Sequence, residues 1–216
     1  MKKVQLFFKR IADIAFSLTA LLLLVPFMVI IAALIKLTSK GTILFVQDRL
    51  GKDAKIFKLY KFRTMIPGAV NIGSGLSVGE KDSRITKIGA ILRKTSLDEL
   101  PQLFNVLKGD ISLVGPRPAV PEHLDYYSDS ERRRLEMRPG ITGLAMVKGR
   151  ASIPWSKRIE CDIEYVNKFN LWLDLVIILK TAWVVLTRKN TYYDHDKFGP
   201  AFDLKKKQIN EKKPNN

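Results

Sequence analysis

The run IAFSLTALLLLVPFMVIIAALI, residues 14–35, decides the fold, because it contains no charged side chain. Read as a helix rising about 1.5 Å per residue, it is long enough to cross the hydrocarbon core of a bilayer. A cleaved secretory signal is rejected, since the run is long for such an apolar region and no Ala-x-Ala site precedes Lys36. The run is expected to be a membrane segment.

Its flanks say how it sits. Lys2, Lys3, Lys9 and Arg10 precede it, and Lys36, Lys40, Arg49, Lys52 and Lys55 follow it. Basic loops favour the cytoplasm, so both flanks claim the same side of the membrane. Pro26, near the middle of the run, removes one backbone hydrogen bond and crowds the preceding turn, which favours a break in the helix there. Together these features predict a re-entrant helix that enters, breaks at Pro26 and returns to the face it left. The alternative is a simple span. A spanning helix with a proline kink needs neighbours to satisfy its backbone, so that arrangement calls for a homo-oligomer.

The whole chain has 216 residues, enough for one modest domain with appendages. Its 37 lysines and arginines against 21 acids leave +16, so its preferred partners are anionic: nucleic acid, anionic lipid and phosphorylated substrates all qualify. Cys161 is the only cysteine, which rules out an intramolecular disulfide and a cysteine-based metal cluster. His123 and His195 lie far apart in sequence and show no metal-ligand spacing, so zinc chemistry and a serine-histidine triad have little support.

Beyond the membrane segment, residues 42–47 and 55–62 are rich in β-branched and aromatic side chains and flank the turn-forming Arg49-Leu50-Gly51-Lys52-Asp53, which predicts a β-hairpin. Residues 67–83 are glycine-rich and read as a mobile loop, without the Gly-Lys-Ser/Thr ending of a P-loop. A short helix with an apolar stripe is predicted near residues 85–97, a central helix over residues 97–107 stopped by Gly109, and a polar, solvated helix over residues 126–137. Residues 155–169 form a further helix, and residues 171–186, with Trp172 and Trp183, suit either an interfacial helix or a core helix. The charge-rich tail over residues 205–213 is expected to be disordered and to favour anionic lipid. The expected fold is α+β and mainly helical: a re-entrant membrane helix with basic flanks (residues 1–40), a domain on the membrane surface built of interfacial amphipathic helices and a small β-hairpin (residues 41–190), and a basic tail (residues 191–216).

The chemistry concentrates in residues 94–118. Asp98 and Glu99 are adjacent acids at a helix start, with Pro101 placing them in or just before the first turn, and the rigid corner Gly115-Pro116-Arg117-Pro118 follows. Acids beside so many cations suggest a site for phosphates and a metal. Locally, Ser96-Leu97-Asp98-Glu99 also fits a capping box, and spacing alone leaves both readings open.

Five stretches taken in order resemble a known family: Lys9-Arg10-Ile11-Ala12-Asp13, Tyr60-Lys61-Phe62-Arg63-Thr64-Met65, Ser96-Leu97-Asp98-Glu99-Leu100-Pro101-Gln102-Leu103, Gly115-Pro116-Arg117-Pro118 and Arg138-Pro139-Gly140-Ile141-Thr142-Gly143. Over residues 8–186 the chain resembles the small form of the bacterial sugar transferases known as monotopic phosphoglycosyl transferases. The resemblance implies transfer of a sugar-1-phosphate from a UDP-sugar to polyprenol (undecaprenyl) phosphate at the cytoplasmic face of the bacterial inner membrane, with no nucleic-acid partner. It implies Asp98 as the covalent nucleophile and Glu99 as a ligand of Mg2+. Lys61, Arg63, Arg117, Pro118 and Arg138, each within a matching motif, are the expected substrate-binding residues. A non-catalytic basic membrane adaptor and a lipid-pyrophosphate hydrolase are the competing readings. The chain departs from the family at Val25, where serine often precedes the helix-breaking proline, and at Met146 and Lys148, which stand where glutamine and asparagine are common.

Overall fold

A computed structural model describes residues 2–72, 82–149 and 152–187. The tail and most of the glycine-rich loop lie outside the described residues. The first element, α1 (Lys2–Thr38), contains the apolar run and is, among the described residues, the helix long and apolar enough to cross a membrane. Leu22 and Leu23 are each 74% exposed, so the middle of α1 presents bare hydrocarbon outward. Pro26 lies inside α1, which continues past it; the proline does not end the helix as expected. Leu21 before the proline and Met28, Ile31 and Ile35 after it are all buried, against Phe62, Leu92 and Leu103. Packing on both sides offsets the single backbone bond that proline removes.

Both ends of α1 are fastened to the same body. Near its start, Lys9 Nζ pairs with Asp174 Oδ2 at 2.5 Å, and Arg10 donates to the Val106 and Leu107 carbonyls at 2.6 and 2.9 Å. Asp13 accepts from Ser112 Oγ at 2.7 Å and from the Leu113 N–H at 3.1 Å. Beyond its end, Arg63 donates to the Lys40 and Ser39 carbonyls at 2.6 and 3.0 Å. The buried positions Lys9, Asp13, Ser17 and Leu21 recur every fourth residue, as one stripe of a helix laid on a surface must.

The expected hairpin is present: β1 (Leu44–Leu50) pairs antiparallel with β2 (Ile56–Phe62), from Leu44 opposite Phe62 to Leu50 opposite Ile56. The outer edge of β2 is closed by a side chain. Asn105 accepts from the Tyr60 N–H at 3.0 Å and donates to the Lys58 carbonyl at 2.7 Å, continuing the ladder where a third strand would lie. Asn105 belongs to α3 (Gln102–Lys108), which ends at Gly109 with φ +90, as the stop predicted there requires. Ahead of it stands α2 (Lys87–Thr95), capped by the Thr86 side chain accepting from the Gly89 N–H.

A second sheet escaped the sequence reading. The three-residue strands β3 (Ser112–Val114) and β4 (Gly140–Thr142) pair in parallel, too short for an alternating pattern to show. Between them lies α4 (Asp129–Arg132), with a capping box made by Ser128 and Glu131 and a 3-10 turn over Arg133–Glu136 behind it. This polar stretch is not solvated throughout as expected. Arg134 is 2% exposed and pairs with Asp162, so one of its three consecutive arginines faces the interior. After β4 come α5 (Leu144–Lys148), α6 (Trp155–Lys168) and α7 (Leu171–Thr187). In α7, Asp174 and Ile177 are buried, while Trp172 and Trp183 are about 70% exposed with Leu179 and Leu186. The helix packs by one face and shows tryptophan and leucine on the other.

Two predictions follow from this packing. A Cβ on Gly140 would stand 2.1 Å from the Gly115 nitrogen and 2.3 Å from the Thr142 oxygen, both backbone atoms. Gly140→Ala is expected to cost about 2 kcal/mol or more in chemical denaturation, as overpacking does; a variant as stable as wild type would contradict this close approach. The second concerns His123, whose ring lies 4.7 Å from that of Trp155. Burial, with Arg134 and Arg49 nearby, holds its imidazole down to about 4. Its folded value lies below the unfolded one of about 6.5, so its contribution is complete above that pH and is lost as pH falls toward 4. In melting curves over this window the wild type should lose more stability than His123→Gln; parallel curves would refute the assignment.

Candidate active site

Asp98 and Glu99 sit at a junction. Ser96, at φ +59, ends α2 in the left-handed region, and the chain turns into the 3-10 segment Leu97–Glu99 before α3 begins beyond Pro101. The single helix expected over residues 97–107 is a 3-10 turn that leads into α3, with Leu100 and Pro101 keeping right-handed helical backbone between them. The Ser96 side chain does not cap the short turn. Glu99 instead reaches across to β2, where its Oε1 accepts from Lys61 Nζ at 2.7 Å. A tertiary contact takes the place of the local capping box.

The acids open into a cleft of about 580 Å3. One side is β1 and β2, with Gln47, Arg49 and Lys61; the other is the Gly115–Arg117 corner and the segment from β4 into α5. Gly115, Gly140 and Gly143 line it with backbone, since a Cβ on any of them would come within 2.4 Å of a neighbouring main-chain atom. Asp98 is crowded on most sides but open to the cleft. Burial pushes its carboxyl up to about 6, against the pull of Lys61 and Arg93 and with Glu99 adding to the rise.

The structure brings together Asp98, Glu99, Lys61, Arg63 and Arg117 on this cleft. Arg63 is committed elsewhere, however: its two terminal nitrogens bind the carbonyls beyond the end of α1, and it is 7% exposed. It anchors the end of α1 from the wall of the cleft rather than offering a free fork to substrate. Pro118 and Arg138 are not among the lining residues. The Pro118 carbonyl accepts from Arg49 at 3.3 Å, and Arg138 Nε donates to the Gly109 carbonyl at 2.9 Å on an exposed surface. Of the family departures, Met146 lines the cleft, whereas Lys148 pairs with Glu164 at 2.5 Å. Arg49, Arg93, Arg158 and Asp162 also line it and were not singled out from sequence; Arg49 had been read as turn chemistry, and nothing in its local pattern marked it. Among the described residues no group of three or more His, Cys, Asp or Glu is placed to hold a metal. Two adjacent carboxylates remain a sufficient protein share for magnesium, which takes its other ligands from substrate phosphates and water.

With this geometry in view, comparison with known proteins is informative. The family described as "Bacterial sugar transferase" matches residues 4–188. The undecaprenyl-phosphate galactose phosphotransferase of Salmonella typhimurium is 40% identical, over 88% of this chain and 43% of its own length. The UDP-glucose:undecaprenyl-phosphate glucose-1-phosphate transferase of Klebsiella pneumoniae is 41% identical, over 88% of this chain and 42% of its own length. The chain thus spans less than half of those two relatives. By contrast, the exopolysaccharide production protein ExoY of Rhizobium meliloti is 37% identical over 85% of this chain and 88% of its own length. Since the match covers α1, the acid pair and the glycine-lined cleft alike, the chain belongs to the bacterial sugar transferase family.

Proposed function

We propose that this protein transfers a sugar-1-phosphate from a UDP-sugar to undecaprenyl phosphate, releasing UMP, at the cytoplasmic face of the bacterial inner membrane. The observation that carries the reading is the placement of Asp98 and Glu99, with Lys61, in a cation-lined cleft on a body that holds both ends of an exposed apolar helix. Relatives named as undecaprenyl-phosphate sugar phosphotransferases support it.

In this reading an oxygen of the Asp98 carboxylate attacks the phosphorus that carries the sugar. The new O–P bond forms as the bond to the bridging oxygen breaks, and that oxygen leaves with its electron pair as UMP. A phosphate oxygen of undecaprenyl phosphate then attacks the same phosphorus, giving the lipid diphosphate sugar and restoring the carboxylate. A carboxylate serves as such a nucleophile in phosphoryl transfer, and the rest of catalysis is positioning and charge stabilisation. Lys61 holds Glu99 in place, and Gly115, Gly140 and Gly143 line the cleft where neighbouring main chain packs too closely for a side chain. Magnesium, held by Glu99 beside Asp98 and by the donor, would neutralise the diphosphate.

The fastening of α1 supports a re-entrant topology: Lys9 and Arg10 near one end, and Ser39 and Lys40 beyond the other, bind one domain, as a helix that enters the cytoplasmic leaflet and returns would need, and the exposed Trp172 and Trp183 face of α7 suits headgroup depth.

Two experiments test this. Intact-protein mass spectrometry with UDP-sugars and magnesium, without lipid acceptor, should show a sugar-phosphate adduct and released UMP with wild type and neither with Asp98→Asn. Turnover by Asp98→Asn at the wild-type rate would remove Asp98 as nucleophile, and neither adduct nor lipid product from wild type would favour the adaptor. For topology, single cysteines introduced at Lys3 and Lys40 should both react with an impermeant maleimide from the cytoplasmic side; labelling from opposite sides would sink the re-entrant arrangement.

A further inference from the structure

Thr142 and Thr181 join the wall of the cleft to α7. Thr142 ends β4, lines the cleft and is 8% exposed, and its Oγ1 lies 2.6 Å from Thr181 Oγ1 on α7. Each hydroxyl has one proton to give. Thr181 spends its own on its helix, donating to the Ile177 carbonyl at 2.7 Å, so the proton between the two oxygens comes from Thr142. Met146 Sδ, 3.3 Å from Thr142 Oγ1, is the weaker acceptor for that proton.

Thr142 passes this hold to the Gly115 corner. Its carbonyl accepts from the Gly115 N–H at 2.9 Å, and the Gly140 N–H donates to the Pro116 carbonyl at 2.9 Å, so β4 and the corner are one backbone unit. The helix at the other end of the bridge is itself fixed. Asp174, about two turns before Thr181 and so on nearly the same face of α7, pairs with Lys9 of α1 and accepts from Tyr165 at 2.7 Å. Ile177, on the turn between them, is buried. Apolar side chains of the same shape would pack α7 on β4 without taking two hydroxyls out of water. What the hydroxyl pair adds is a set distance and direction.

We propose that Thr181 is a positioning residue for the cleft: through the Thr142 hydroxyl it holds β4 and the Gly115–Arg117 corner at the separation from Asp98 and Lys61 that the donor requires. Thr181 is not among the lining residues and acts only through Thr142. That the donor is a UDP-sugar rests on the proposed transferase reading. This wall faces the acids and does not carry them, so its displacement loosens the grip on the donor while leaving the nucleophile in place. The effect falls on KM and not on kcat.

The test uses the full chain in detergent. Thr181→Val keeps the shape of the side chain and removes its hydroxyl, whereas Thr181→Ser keeps the hydroxyl. Hydrogen–deuterium exchange read by mass spectrometry should quicken over residues 112–117 and 140–146 in Thr181→Val and stay as in wild type in Thr181→Ser. The KM for UDP-sugar should rise about tenfold in Thr181→Val, with kcat kept within about twofold and Thr181→Ser restoring both, as loss of one buried hydroxyl bond allows. The double variant Thr142→Val, Thr181→Val should be no worse than Thr181→Val alone, since both remove one bond. Exchange unchanged in Thr181→Val, equal effects of valine and serine, or a lowered melting temperature with KM as in wild type would each overturn the proposal. If Thr181→Val does not fold, Thr142→Val and Thr142→Ser remove and keep the same bond from the strand side and are read in the same way. Wild type that shows the exchange contrast but transfers no sugar phosphate would refute the transferase reading and leave the hold of Thr181 on the cleft wall standing.

Discussion

Everything in this fold depends on the capture of α1 by charged groups that should be costly to bury. Asp13 is 4% exposed and Lys9 7%, and each would strongly destabilise the folded chain if left unpaired. Asp13 is satisfied by Ser112 and Leu113 at the start of β3, and Lys9 by Asp174, to which Tyr165 also donates at 2.7 Å. Apolar packing alone would allow the helix to slide along its stripe. Directional bonds near its start and the Arg63 bonds beyond its end set its position.

That position is shared with the chemistry. β3 hangs from Asp13 and runs straight into Gly115, whose N–H donates to the Thr142 carbonyl at 2.9 Å, and then into Arg117. At the other end Arg63 holds the carbonyls that follow α1 while lying two residues beyond Lys61, the partner of Glu99. The apolar helix α1 and the acid pair are thus joined through two short stretches of chain, and a displacement of the helix cannot leave the cleft walls unmoved.

The cleft itself is an electrostatic compromise. Asp98 is kept from its ordinary acidity by burial, and Lys61 compensates Glu99. Among the described residues Arg49 and Arg117 form no ion pair, in a chain whose net charge is +16. Such an arrangement favours polyanions held between the acids and the arginines. The contrast between Arg117 and Arg134 shows how it is made: two arginines on neighbouring backbone, one spent on a buried carboxylate, the other presented to the cavity.

Local patterns were enough to read the apolar helix, the hairpin, the stop at Gly109 and the helices α6 and α7, because each depends on side chains within a few residues of one another. Composition alone pointed to anionic partners, and the adjacency of Asp98 and Glu99 was visible as it stood. What local pattern could not reach were bonds between distant residues. Lys61 and Glu99 are 38 residues apart and Arg134 and Asp162 28; these pairings set Glu99 on a cleft wall, where spacing alone had left a capping box open, and buried an arginine of a stretch expected to be solvated. Arg63 and Arg138 sit in equally suggestive motifs, yet one binds the end of α1 and the other a carbonyl outside the cleft. A sequence states which groups carry charge and which stretches favour helix or strand, since those are properties of the residues themselves. Which charge is spent on the fold and which is left for a ligand depends on the partners that tertiary packing brings within hydrogen-bonding distance.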